Sequence, residues 1–197
     1  MATGAASRPL PTREDARAWH AQIYAGCAVP VAGYIGHFRG DPLVAELLGY
    51  EVGVGLDMPD GLPEKVGVGS HLLDAELIRF IRAVRAGLGV LDAHFPPGSP
   101  ATAPDQVSAV LQLAALVHGE WVRMHPFASG NGRTARAWVA FVLLRYGLPV
   151  FVTVKRRPGG VDYARAAASS MGRPPDFTGR HDETLRVFMH MLATWVP

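Results

Sequence analysis

In the stretch HPFASGNGRTAR, residues 125–136, a histidine precedes a glycine-bracketed asparagine and two arginines set three apart. Gly130, Asn131 and Gly132 stand where a loop gives way to a helix. The first backbone N–H groups of a helix have no partner inside it, and the helix dipole is positive at that end. Glycines let successive N–H groups turn inward and let an anion approach the main chain, an arrangement that suits phosphate. Arg133 and Arg136, in the first turn, would share a helix face, and guanidinium groups match phosphate oxygens with paired hydrogen bonds. A nest with two arginines beyond it implies a chain of phosphates, such as a nucleotide tail. His125 lies just before the nest, where an imidazole can take a proton from an attacking hydroxyl near neutral pH. Phe127 reads as the anchor of the loop, its ring buried between two helices. The pattern predicts a general base beside a polyphosphate cradle.

Such a cradle needs a firm mount. Pro104 and Asp105 open a helix whose apolar stripe is Val107, Val110, Leu111, Ala114, Val117 and Trp121. It must stop near His125, because Pro126 disfavours helical geometry in the residue before it. The next helix starts near Asn131 and runs to Tyr146, with Gly147 and Pro149 as stop signals. A loop this short sets the two helices antiparallel and holds the motif between them. Upstream, Leu73, Leu77, Phe80, Ile81, Val84 and Leu88 give a single stripe along Ser70 to Leu91, and Thr12 caps a short helix from Glu14 to Gln22. Tyr163 to Ser170 and Thr184 to Trp195 read as two final helices, and Trp138, Phe141 and Leu144 as core. Ala25 to Gly69 is glycine-rich and irregular, with a hairpin and a turn at MPDGLPEK. FVTVKRRPGG reads as a short strand or an extended link. The expected fold is all-α: one helical domain over residues 12–197 with a central helix-loop-helix and a small β-hairpin, after a flexible tail at 1–11.

Composition narrows the function classes. A chain of 197 residues, 49% hydrophobic and 18% charged, fits one globular domain. The net charge of +2 does not force a polyanion-binding surface, and KRRPGG reads as a solvated basic loop, so nucleic acid is not an expected partner. Cys27 is the single cysteine, which excludes an intrachain disulfide and a cysteine-based zinc site. His118 and His125 lie seven apart without a third ligand in the sequence, a poor zinc site. The first residues lack the apolar core of a signal peptide. The apolar run from Ala137 to Leu144 falls far short of the roughly 20 residues of a membrane span. A soluble, cytoplasmic protein with no membrane partner is expected.

HPFASGNGRTAR resembles the signature of the Fic domain family, His-x-Phe-x-(Asp/Glu)-Gly-Asn-Gly-Arg-x-x-Arg, matching every fixed position but one. The resemblance implies a mostly helical domain that transfers a phosphate-containing group to a hydroxyl. Most commonly the group is AMP from ATP, or from another nucleotide its monophosphate, placed on a Ser, Thr or Tyr of a target protein. On that pattern His125 is the general base, Gly130, Asn131 and Gly132 form the anion hole, and Arg133 and Arg136 hold the outer phosphates. Phe127 and Ser129 complete the nucleotide-binding set. A hairpin flap aligns the target segment by strand-like pairing; the candidate lies within Gly36 to Val54, around HFRG and YEVGVG.

The departure is Ser129, which stands where the family carries an acid that helps hold Mg²⁺. A neutral hydroxyl is a much weaker ligand for a hard divalent cation, so Mg²⁺ binding is weakened and no motif residue is assigned to metal. Activity is then weakened or altered. The alternatives are a nucleotide-binding regulatory module with little catalysis, or phosphoryl transfer to a small molecule. Retention of His125 favours an enzyme, since a pure binder has no use for a base. A Ser129–His125 hydrolase pair is disfavoured because the Gly-x-Ser-x-Gly elbow is missing. The inhibitory pattern (Ser/Thr)-x-x-x-Glu-(Gly/Asn) found in many relatives is also missing, which leaves inhibition to a separate partner or makes it unnecessary.

Overall fold

Thr12 starts the first helix, α1 (Arg13–Ile23), with a reciprocal cap: its hydroxyl accepts the Asp15 N–H at 3.3 Å, and the Asp15 carboxylate accepts the Thr12 N–H at 2.8 Å. The computed structural model describes residues 10–54, 64–95, 99–159, 161–172 and 178–195. A 3₁₀ turn at Ser70–Leu72 leads into α2 (Leu73–His94). Pro104 occupies the first position of α3 (Pro104–Met124), where its missing N–H costs nothing. The Gln106 side chain accepts the N–H groups of Thr102 and Ala103 at 3.1 and 3.2 Å. Then follow α4 (Asn131–Arg145), α5 (Val161–Met171) and α6 (Asp182–Ala193). A mostly helical domain is thus what the sequence builds.

α3 is the central element, with α2, α4, α5 and α6 all packed on it, while α1 packs on α4. Being wrapped, α3 buries more than the one stripe its spacing announces: Leu113, Ala115, His118 and Val122 are covered as well. Where α2, α3 and α4 meet, Phe80, Trp121 and Trp138 form an aromatic knot with centroids 5.1 to 5.6 Å apart. Leu144, expected in the core, is 40% exposed. Steps of three residues drift by about 60° each around a helix. The series from Trp138 to Leu144 therefore leaves the inner face, and Val139, Val142 and Leu143 hold it instead.

The strands are β1 (Val52–Val54) and β2 (Glu64–Val66), antiparallel with Val52 opposite Val66. The expectation of a hairpin within Gly36 to Val54 is half right. YEVGVG supplies β1, but its partner is EKV, whose Glu64 and Lys65 belong to the stretch MPDGLPEK read as a turn and lie instead in β2, and HFRG forms no strand. The connection at 55–63 and the first nine residues of the tail lie outside the described residues. Residues 151–159 of FVTVKRRPGG form a bent link, neither strand nor helix, that buries Phe151 and Val152. No described helix is long and apolar enough to cross a membrane.

Candidate functional site

Pro126 forces α3 to end, and His125 leaves the helix in the left-handed region, at φ 48° and ψ 58°. It is the one described non-glycine residue with positive φ, a conformation that must be held by its surroundings. Arg39 from HFRG holds it. The Arg39 side chain is fully buried. Its Nε donates to the His125 carbonyl at 2.7 Å, and Nη2 donates to Met124 O at 3.0 Å and Val68 O at 2.7 Å. Nη1 donates to Tyr50 O at 3.2 Å and to the Glu51 carboxylate at 3.0 Å, and the Arg39 backbone N–H donates to Pro126 O at 2.8 Å. A helix end presents carbonyls without partners and a partial negative charge, and a guanidinium answers both. Glu51 in turn accepts the N–H and hydroxyl of Ser70, each at 2.9 Å, so the clamp reaches from the hairpin to the entrance of α2. Just past β2, Gly67 sits at φ 80°, where a Cβ would lie 2.7 Å from both His125 Cβ and Met124 O. The chain leaving the hairpin passes directly over the histidine.

His125 Nδ1–H donates to the Val122 carbonyl, so the ring is the tautomer with its lone pair on Nε2. Burial lowers its pKa below the ordinary 6.5; the hydrogen bond to Val122 opposes this, and the Arg39 charge adds to it. The imidazole is neutral at neutral pH, with Nε2 ready to accept a proton.

Beyond His125, Asn131 ties the loop across its mouth. Its Oδ1 accepts the Phe127 N–H and its Nδ2 donates to the Phe127 carbonyl, both at 2.8 Å. Phe127 is wholly buried, stacked on His20 with centroids 3.9 Å apart and close to Phe38 at 4.8 Å. It supports the nest from below rather than lining it. We predict that Asn131→Ala lowers stability by about 1–3 kcal/mol, since the buried Phe127 amide loses both its partners; a denaturant titration measures this.

α1 supplies the wall opposite. His20 Nδ1 accepts the Gly36 N–H and Nε2–H donates to the Ser129 carbonyl, both at 3.0 Å, which fixes a neutral ring. Burial lowers its pKa as well. One turn on, the Tyr24 hydroxyl donates to Ser129 Oγ at 3.0 Å. Gly130 has φ 79°, and a Cβ there would come within 2.7 Å of the Tyr24 ring; both the turn and the close approach require glycine. No side chain caps α4. The N–H groups of Arg133 and Thr134 return to Gly130 O, and among the described residues those of Asn131 and Gly132 have no acceptor. The Arg133 guanidinium lies 4.8 Å above the Tyr24 ring.

Arg136 stands apart from Arg133. It is 4% exposed, with Nε donating to Thr153 O at 2.9 Å, Nη2 to Val154 O at 3.0 Å and Nη1 to the Tyr163 hydroxyl at 3.4 Å. Its Nη1 still borders the nest, 3.4 Å from where a Cβ on Gly132 would sit. Tyr163 also bonds His118 Nε2 at 2.7 Å, and burial pushes the His118 pKa down to about 3. His118 thus faces Tyr163 while His125 faces Val122, and the two do not act as a pair.

One mouth therefore gathers His125, Ser129, the free N–H groups of Asn131 and Gly132, and Arg133. Sequence reasoning missed Arg39, His20 and Tyr24, which hold it. For the last two a signal existed: two hydrogen-bonding rings lie four apart, one on the last turn of an amphipathic helix and one at its C-terminal end, where they can share a face. The mouth does not fit a divalent cation of the kind an acid at 129 would hold. Ser129 is neutral, and one of the two lone pairs on its oxygen already accepts the Tyr24 O–H. Among the described residues, no group of three or more His, Cys, Asp or Glu side chains could hold a metal ion.

Known proteins resemble this chain in sequence. The model of the Fic/DOC family matches residues 10–143, from the start of α1 into the last turn of α4. Over 65 residues, 32% of this chain, the sequence is 37% identical to protein adenylyltransferase Fic of Aedes aegypti, covering 13% of that protein. Over 65 residues it is 38% identical to protein adenylyltransferase Fic of Nematostella vectensis, covering 32% of this chain and 15% of that protein. Over 48 residues it is 42% identical to protein adenylyltransferase fic-1 of Caenorhabditis elegans, covering 24% of this chain and 9% of that protein. The matched stretch spans less than a sixth of the length of each of these relatives.

Proposed function

Since the chain belongs to the Fic/DOC family, we propose that it is a nucleotidyltransferase that moves AMP from ATP, or the monophosphate of another nucleotide, onto a Ser, Thr or Tyr hydroxyl of a target protein. The observation that carries this reading is the neutral His125, with Nδ1 tied to Val122 and Nε2 left free, beside a nest whose N–H groups at Asn131 and Gly132 await an acceptor. In the transfer, Nε2 takes the hydroxyl proton as the oxygen attacks the α-phosphorus. The new O–P bond forms while the bond to pyrophosphate breaks, and pyrophosphate carries away the displaced electron pair. The N–H groups and Arg133 meet the charge on the phosphate oxygens, in an arrangement set before the substrate arrives. No step is assigned to a metal. A cytoplasmic location and inhibition by a separate partner belong to the same proposal.

The test is incubation of the purified chain with lysate and each labelled nucleoside triphosphate in turn. A labelled protein carrying a phosphodiester on a hydroxyl, located by mass spectrometry, is the expected product. If none of the four nucleotides yields a modified protein, the reading fails. Ser129 favours a second reading, a nucleotide-binding module without turnover, and any His125-dependent product excludes it.

The pH dependence has a definite sign. The base works when unprotonated, and its pKa lies below 6.5. The single-turnover rate is expected to stay flat through neutral pH and to fall on the acid side, with a midpoint below 6.5. A midpoint above 6.5 would show that the ring is not held in its buried, neutral state.

A further inference from the structure

Ser129 does more than leave a metal ligand out. A carboxylate at this position can only accept hydrogen bonds, as can a phosphate oxygen, so the two repel unless a cation bridges them. A hydroxyl can donate as well as accept. Here one of its two lone pairs is already used, because the Tyr24 hydroxyl donates to Ser129 Oγ at 3.0 Å. The Ser129 hydrogen has no acceptor among the described residues, and the residue is exposed at the mouth. Resting on the nucleotide-transfer reading, we propose that this cradle binds its nucleotide as the metal-free polyanion, with the Ser129 hydroxyl, oriented by Tyr24, donating directly to a phosphate oxygen.

Several features make the orientation firm. Tyr24 is only 9% exposed; its ring abuts Gly130 and lies beneath the Arg133 guanidinium. Its hydroxyl therefore reaches Ser129 from a fixed position. The Ser129 carbonyl, which would repel an anion, is occupied by His20 Nε2–H at 3.0 Å. His20 is itself locked by the Gly36 N–H on its other nitrogen. Among the described residues of the loop and its wall, what remains for the anion is a set of donors: the Ser129 hydroxyl, the N–H groups of Asn131 and Gly132, and Arg133. Neither the loop from Pro126 to Gly132 nor the wall residues His20 and Tyr24 include a carboxylate for a cation to neutralise.

Calorimetry of the full chain with ATP, once in EDTA and once in excess MgCl₂, tests the proposal. For the wild type, Kd in EDTA is expected to be within about threefold of Kd in MgCl₂, or tighter. Tyr24→Phe keeps the ring and removes the hydroxyl; it is expected to weaken binding in EDTA by about tenfold, the scale of one hydrogen bond to a charged group. Its thermal unfolding should stay close to that of the wild type, which separates a lost orientation from a lost fold. Ser129→Asp is expected to bind about tenfold or more weakly in EDTA and to recover in MgCl₂. Wild-type binding that is about tenfold or more tighter with Mg²⁺ would overturn the proposal and leave nucleotide transfer standing. So would a folded Tyr24→Phe that binds like the wild type. Absence of binding by ATP, GTP, CTP and UTP in both buffers would overturn the transferase reading along with it.

Discussion

Arg39→Ala is expected to destabilise the fold by about 3–5 kcal/mol, because three inward-facing carbonyls lose their donor at about 1–3 kcal/mol each. Nothing else described supplies donors to the carbonyls of Val68, Met124 and His125, all of which accept from this one guanidinium. Glu51 would lose its buried cation, although Ser70 would still donate to it. Urea denaturation gives the measurement: the midpoint should fall while the slope stays that of the wild type. Arg39→Lys should lie between the two, because an ammonium keeps the charge but lacks the planar fork and carries only three donors. In that variant the transfer rate should drop more than nucleotide affinity, since the His125 carbonyl hangs on Arg39 Nε while the nest is tied by Asn131. A loss below about 1 kcal/mol for Arg39→Ala would mean that water replaces the clamp and that the left-handed turn holds itself.

Arg39 also marks where the sequence stops being legible. Helices could be read because their signals are local: the Thr12 cap, Pro104 at the first turn, and apolar spacing along α2. The motif could be read because its chemistry is concentrated in residues 125–136. Arg39 is 86 residues from His125, and Tyr24 is 105 residues from Ser129. No spacing rule announces a pairing over such distances, least of all one made to backbone carbonyls that every residue carries. The hairpin shows the same limit. YEVGVG was readable as a strand, but its partner is chosen by the return of the chain over His125 at Gly67, not by composition. Arg136 shows it from the other side: its place in the motif suggests an open phosphate ligand, while the link after α4 supplies the carbonyls of Thr153 and Val154 that bind it. Burial, with the Arg39 charge beside it and against the pull of the Val122 carbonyl, likewise keeps His125 neutral.

His125 therefore carries the second large effect, and the choice of substitution decides what is learned. Removing a general base typically costs about 10²–10⁴ in rate, with nucleotide affinity unchanged if the nest binds the phosphates without help from the ring. Alanine is an ambiguous probe, because position 125 lies at φ 48° and alanine has no local contact to hold that conformation. Asparagine tolerates the left-handed region better, and its amide can still donate to the Val122 carbonyl as Nδ1 does. It supplies no lone pair of comparable basicity in place of Nε2. His125→Asn is expected to bind ATP as the wild type does and to lose about 10²–10⁴ of the single-turnover transfer rate, together with the acid limb of the pH profile. If instead it binds ATP poorly and transfers at the wild-type rate when saturated, His125 supports the nest and the proton goes elsewhere. If rate and affinity both survive, no base acts at this position. Only loss of rate with affinity intact assigns the proton to Nε2, because only then is the missing group needed in the transition state alone.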